Sequence, residues 1–562
     1  MNSLRRLLLT LLIALTVIIV ALYIAVQTRW GASQLAARIS AGQQWHITFD
    51  KLSHSWSSPS HLVFSNLSLR KPGQPPLLVA QQVDVGLSAR QLTRSGDVNS
   101  LQIHNGTLNL PRGGLPSLPL QARRLQLSAM NINATPGQWP LVARQVSGGI
   151  TPWNPARQQD ARFQFSAGQL ILNGLPASQV LMQGETRNGS LIISSLGGDV
   201  ARGSMSSSLQ RTPDGRWQVD YLRISDLRYQ SRDTLARLLA RAATLPPVTL
   251  RNVDITNTQL QGPGWAVNGL SLGLRNIGLE HGRWSAQEGT LSVSASEALY
   301  GAVHLFDPIM TVRLSGQALT LQQFTTRWAG GLLRATGHWQ RQSKALTLDE
   351  LTIAGLEYTL PTAWKQYLAA PAPGWLNSLR VEKLSASRNL LIDTNPDFPF
   401  QFTALDSSGT RLQLVRNNQW GIWGGRLNLN AAAATLNRMD LRRPSMALEA
   451  NLSTVNISEL SAFAGQGLLE ATATVSQLPQ RRAVLSLSGR AVPLDTLHYW
   501  GWPALPLEGD GNLRLNITGS LQHNVPLRPT VSGDLSATNA RGLQIHQTMA
   551  QGVVTPGNTP GA

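Results

Sequence analysis

From Trp45 almost to the C-terminus, apolar side chains return at every second position, and that period of two commits the chain to half-buried strands. Val83, Val85 and Leu87 share one parity, and so do Leu101 and Ile103. Leu108 and Leu110 reverse the parity of Leu101 and Ile103. The change falls at His104-Asn105-Gly106-Thr107, where Asn-Gly reads as a hairpin turn. The grammar recurs at Leu270, Leu272 and Leu274, with a break at Asn276 before Ile277 and Leu279, and again at Leu427 and Leu429 and at Leu513, Leu515 and Ile517. Such strands, separated by Gly and Asn, predict a mainly β chain of antiparallel meanders. Helix is expected over under about a fifth of the chain, against a globular norm of about 30–35%. The candidate helices beyond the N-terminal one are residues 32–40, 231–243, 362–370, 458–464 and 494–500.

The N-terminus obeys a different rule. Residues 7–26 carry no charge, and only Thr10, Thr16 and Tyr23 interrupt the apolar run. Leu7, Leu8, Leu9, Leu11, Leu12, Ile13, Leu15, Val17, Ile18, Ile19, Val20, Leu22, Ile24 and Val26 supply a span of the roughly 20 residues a bilayer core requires. The run is too long for a cleavable signal peptide, and Ala25-Val26-Gln27 is a poor cleavage site. Arg5 and Arg6 before it predict a cytoplasmic N-terminus, and Trp30 after it stands where an interfacial aromatic belongs. The expected division is therefore a stub and anchor over 1–30, a non-cytoplasmic β-rich body over 31–550, and a disordered Gly/Pro/Thr-rich tail over 551–562.

The body repeats itself. Gly197-Gly198-Asp199-Val200-Ala201-Arg202-Gly203 resembles the segment from Gly330 to Gly337 and that from Gly467 to Thr472, at intervals of roughly 130 residues. A helix-then-proline-then-strand unit leads into Leu250-Arg251-Asn252-Val253 and again into Leu379-Arg380-Val381. Three units are expected, near 45–230, 231–360 and 361–550. Reuse of strand units favours an extended surface over a single special site.

Chemistry-bearing constellations are weak. Gly269-Leu270-Ser271-Leu272-Gly273 matches a nucleophile-elbow pattern by letter, but it lies within an alternating strand rather than at a strand-to-helix turn. His54 and His61 lack metal-ligand spacing. Asp307-Pro308 and Asp349-Glu350 read as turns. No glycine-rich phosphate loop precedes a helix, and the chain holds no cysteine. These features predict a chain that is not an enzyme and needs no cofactor. The net charge is +18, and only five of the basic residues are Lys. Such a balance favours anionic partners, while no dense basic run suits nucleic acid. Trp420, Trp423, Trp500 and Trp502 are plugs in a core, cover for a sheet edge, or the lining of a groove. A meander with one apolar face is either closed by a second sheet or left open as a trough, and acyl chains suit a trough at about 0.8 kcal/mol per methylene.

The anchor running into Gln27-Thr28-Arg29-Trp30-Gly31 resembles the start of the AsmA family. So do the strand from Val79 to Val85, the segment from Leu101 to Leu108, and Leu507-Glu508-Gly509-Asp510-Gly511-Asn512-Leu513-Arg514-Leu515 near the end. The resemblance implies a single-pass protein of a Gram-negative inner membrane with a periplasmic body, formed by an elongated, curled, open β-sheet. It also implies a hydrophobic groove for phospholipid or other anionic envelope lipids moving toward the outer membrane. Its alternative is a scaffold that docks other envelope proteins during outer-membrane protein assembly. The candidate groove positions are Val83, Val85, Leu101, Ile103, Leu108, Leu110, Leu270, Leu272, Leu427, Leu429, Leu513 and Leu515.

Overall fold

The computed structural model describes residues 2–41, 44–55, 58–87, 96–112, 118, 120–135, 140–154, 160–172, 174–244, 246–280, 282–285, 288–522 and 525–556. The chain is mainly β, with 66% of it in strands and 10% helical. It divides into two compact units, Met1–Pro263 with Leu270–Ser285, and Gly264–Gly269 with Ala286–Ala562.

The first unit begins with the helix Asn2–Val26, which over Leu9–Val26 has no buried residue and is long and apolar enough to cross a membrane. A second helix, Arg29–Ser40, follows at once. Thr28 caps it: its hydroxyl oxygen accepts from the Gly31 amide at 3.2 Å and its hydroxyl donates to the Ala25 carbonyl at 2.6 Å. A glycine is required at 31, because a Cβ there would lie 2.0 Å from the Ala25 carbonyl oxygen. Ala32 and Ala36 then pack on Phe49, seating this helix on the first strands.

The strands are long, and the parity reversals have a different cause from the one expected. Asn105 is not in a hairpin. It lies inside the continuous strand Asp97–Asn109 with φ 51°, and pairing to Leu78–Gly86 keeps one register on both sides of it. One left-handed residue re-aims the side chains that follow without ending the strand. Gly106 makes room for the bend, since a Cβ there would fall 2.2 Å from the Val79 carbonyl oxygen. Neighbouring strands bend in the same row, at Asn66, Ala129, Gln145 and Gln179, all with φ between 50° and 54°. Asn276 does the same within Trp265–Glu280, and Asp307 within Val303–Leu314, where its carboxylate pairs with Arg327. Asp307-Pro308 is thus a bend and not a turn. Asp349-Glu350 is neither, lying within the strand Ala345–Ala354 with Glu350 accepting from Lys383 at 3.1 Å.

Two other expectations are corrected. Residues 458–464 are strand, part of Thr454–Ala464. A register shift between Ile457 and Leu460 spaces the apolar residues at three, which imitates one face of a helix. The tail expected to be disordered contains the strand Val553–Pro556, paired with Gln544–Ala550, and the rest of it lies outside the described residues. The remaining short helices form at Leu235–Ala242, Trp364–Ala369 and Thr496–Tyr499.

The internal repeat has a structural counterpart, aligned differently from the letter match. Gly203, Gly331 and Gly467 each open a strand after a tight turn, and a Cβ on any of them would meet backbone at 2.3, 2.6 and 2.1 Å respectively. Most neighbouring strands are antiparallel, but three crossovers return the chain parallel. Asp97–Asn109 pairs with Gln121–Ala134, Trp217–Ser225 with Val248–Gly262, and Ala345–Ala354 with Ser378–Asp393. The returning strands start at Gln121, Val248 and Ser378, so the period is close to 130 residues.

Candidate functional site

Eight consecutive strands of the first unit, from Ser58–Arg70 through Ser190–Val200, line an apolar cavity of about 910 Å³. Alternation places one residue in two on its wall: Val83 and Val85 from one strand, Leu101 and Ile103 from the next, Leu125 and Leu127 from the next. Strict alternation would then turn Leu108 and Ile132 outward. The left-handed residues Asn105 and Ala129 prevent this, so Leu108, Leu110, Met130 and Ile132 continue the same wall. Ile39 of the second helix, with Ile47 and Phe49, contributes to the wall from the part of the chain next to the apolar helix. Trp153, Phe165, Val180 and Leu196 complete it from the later strands. Ser166 carries the one polar side chain among the described lining residues. A space of this kind offers no partner for water and is suited to hydrocarbon.

Of the twelve candidate groove positions, Val83, Val85, Leu101, Ile103, Leu108 and Leu110 come together on this wall. Leu270 and Leu272 are half-buried in the strand Trp265–Glu280, away from the cavity. Leu427 and Leu429 are half-buried in the second unit, opposite Leu448 and Met446. Leu513 and Leu515 are each 4% exposed, inside a packed core of the second unit with Leu469, Leu487 and Leu535. There the helix Thr496–Tyr499 and Trp502 close over the apolar face. Trp502 donates to Gln547 Oε1 at 2.8 Å and Trp500 to the Leu436 carbonyl at 3.2 Å, so both are core plugs. Trp420 packs beside Leu376 and Val415, and Trp423 donates to the Gln419 carbonyl at 3.1 Å.

Sequence reasoning missed Leu125, Leu127, Met130 and Ile132, although the same signal was present: alternation, a one-step slip at Ala129, then alternation again. It also missed Ile39, Ile47 and Phe49, which lie in short elements without a period. Among the described apolar-helix residues, Leu9, Leu11, Leu12, Ile13, Leu15, Val17, Ile18, Ile19, Val20, Leu22 and Ile24 are exposed, as is Trp30. The side chains of Arg5, Arg6, Leu7 and Leu8 lie outside the described residues. Around the base of the helix, Tyr23 meets the His54 ring edge-on at 4.7 Å, and Arg29 approaches Asp50 at 3.9 Å. No group of three His, Asp or Glu able to hold a metal occurs among the described residues.

No protein-family model matches the chain, and no solved structure matches it. Among curated proteins, the AsmA family protein YicH of Escherichia coli (strain K12) is 50% identical over 561 residues, covering 99% of this chain and 98% of that protein. The match spans the apolar helix, the cavity strands and the packed C-terminal core, and the chain belongs to the AsmA family.

Proposed function

We propose that this chain binds phospholipid acyl chains in the cavity of its first unit and takes part in moving lipid toward an outer membrane. The observation that carries the reading is a wall of aliphatic and aromatic side chains around about 910 Å³, built from strands that bend so as to keep their apolar side facing it. The apolar helix is the anchor in an inner membrane, its N-terminus is cytoplasmic by the positive-inside rule, and the body is periplasmic. Other anionic envelope lipids are further ligands, since the net charge of +18 favours them.

Energetics suit a carrier or conduit. Burying about a dozen methylenes from water gains on the order of 10 kcal/mol. A lipid leaving a bilayer gives up a comparable amount, because its tails already sit among hydrocarbon. Exchange between bilayer and cavity is therefore close to balanced, and a lipid can both enter and leave. Photocrosslinking from Val83, Leu101, Leu108 and Leu127 in living cells tests the reading. Lipid adducts at several of these positions are expected. A folded protein that yields none, yet crosslinks to other envelope proteins, would replace this reading with a scaffold.

A further inference from the structure

We propose that a second pocket of the first unit seats the phosphate of a lipid headgroup, an assignment that rests on the reading of the apolar cavity as an acyl-chain site. The pocket measures about 1270 Å³ and is lined by Arg202, Arg228, Arg232 and Arg241 together with Asp199 and Asp233. Asp233 holds Arg241 at 2.6 Å. The guanidiniums of Arg202, Arg228 and Arg232 make no ion pair among the described residues. Four guanidiniums against two carboxylates leave a positive surplus in one concavity, and planar guanidinium forks match phosphate oxygens.

The chain sets the three arginines by separate local devices. Arg202 occupies a tight turn with φ 71°, between Ser190–Val200 and Gly203–Arg211. Arg228 begins the short strand Arg228–Gln230, its amide bonded to the Ala201 carbonyl at 3.0 Å, so it is fixed beside that turn. Arg232 follows directly, ahead of the helix Leu235–Ala242.

Position separates this pocket from an ordinary basic surface. Leu170 lines both the arginine pocket and the apolar cavity, and Ile171 adds a hydrophobic margin. A molecule at Leu170 thus meets hydrocarbon on one side and guanidiniums on the other. That is the polarity of a phospholipid, with acyl chains in the cavity and phosphate among Arg202, Arg228 and Arg232. A free phosphate would use only half of the arrangement.

The test uses the full chain in neutral detergent with three probes: fluorescent phosphatidylglycerol, diacylglycerol with the same chains, and inorganic phosphate as competitor. The combined variant Arg202→Gln, Arg228→Gln, Arg232→Gln is compared with Arg411→Gln, Arg443→Gln, Arg482→Gln, which removes equal charge from the second unit. The expected result is a loss of about tenfold in phosphatidylglycerol affinity for the first variant alone, with diacylglycerol binding unchanged and little competition by inorganic phosphate. Equal losses in both variants, or none in either, overturn the pocket and leave the cavity standing. Loss of both lipids with an intact circular dichroism spectrum also overturns it, because the arginines would then be holding the cavity itself. Full displacement by inorganic phosphate would make the site one for free anions. If the unchanged chain binds neither lipid, the acyl-chain reading fails and the headgroup pocket falls with it.

Discussion

The side-chain amide of Asn257 donates to the carboxylate of Asp226 at 2.6 Å, and the two residues stand abreast in parallel neighbours with φ of 49° and 57°. The registered pairs on either side are Ser225 with Thr256 and Arg228 with Gln259, so both chains bend at one level without losing step. Asn and Asp tolerate the left-handed region better than other side-chain-bearing residues. The same bend at Ala129 is made by a residue that does not.

Replacing Ala129 by Gly should therefore stabilise the first unit by about 0.5–1 kcal/mol, the relief of left-handed strain outweighing the backbone entropy of glycine. Ala129→Val should destabilise it by about 1–2 kcal/mol, a β-branched residue being least tolerant of positive φ. Asn257→Ala should cost about 1–2 kcal/mol through the lost hydrogen bond and the strain together. Urea denaturation followed by fluorescence checks all three. If Ala129→Gly proves as destabilising as Ala129→Val, strain at the bend is not the controlling term.

The strand-opening glycines should behave alike although they lie far apart in sequence. Gly331→Ala and Gly467→Ala would each press a methyl group against backbone, the Leu356 amide nitrogen at 2.6 Å and the Ala491 carbonyl oxygen at 2.1 Å. Each should cost about 1–3 kcal/mol or more, because backbone on both sides has to shift. Thermal unfolding of the single variants gives the answer, and Gly374→Ala is the control, since a Cβ there meets nothing within 4 Å.

Leu108 and Leu513 should separate a void from a filled core. Leu513→Ala removes atoms from a packed cluster and is expected to cost about 2–5 kcal/mol with lipid binding intact. Leu108 is half-buried, packed on one side against the wall cluster and bordering the cavity on the other, so Leu108→Ala should cost less than Leu513→Ala, about 1–2 kcal/mol. Ala143→Phe projects a ring into that space and should lower bound acyl chain without lowering the melting temperature. A large destabilisation by Ala143→Phe would mean the space is already filled by protein.

Glu297 supplies a pH-dependent check. The Asn268 amide donates to its carboxylate at 2.9 Å, and His304 also bonds it; these two contacts, in that order, hold its pKa below the ordinary 4.5. A depressed carboxylate pKa favours the folded state above the ordinary value, and the contribution disappears as pH falls through the folded one. Carbon-13 titration of Glu297 should give a midpoint below 4.5, moving upward in Asn268→Ala. A midpoint that ignores Asn268→Ala would assign the shift to His304.

Alternation at Val83, Leu101 and Leu513 was enough to read the mainly β fold, because facing is a local property of a strand. The reversal at Asn105-Gly106 was legible too, but its meaning was not. Both a two-residue hairpin and an in-strand bend require a left-handed residue, and only pairing of Leu78–Gly86 across both sides of Asn105 tells them apart. Strand direction left no trace, so the parallel return at Gln121 could not be read from its residues. The six cavity positions between Val83 and Leu110 came out together because they lie on adjacent strands. Leu272, Leu429 and Leu515 have the same local pattern in other surroundings, since parity says nothing about which wall a distant strand joins.

The cap at Thr28 and the absent side chain at Gly31 have a mechanical consequence for the first unit. Two helices that meet carbonyl against Cα, with Tyr23 braced on His54, form a stiff elbow in place of a swivel. A helix crossing a bilayer is ordinarily free to spin about its own axis. Here any spin would have to carry Arg29–Ser40 and the strands beneath it along, so the azimuth of the apolar helix sets the compass heading at which Ile39, and the cavity it borders, faces outward.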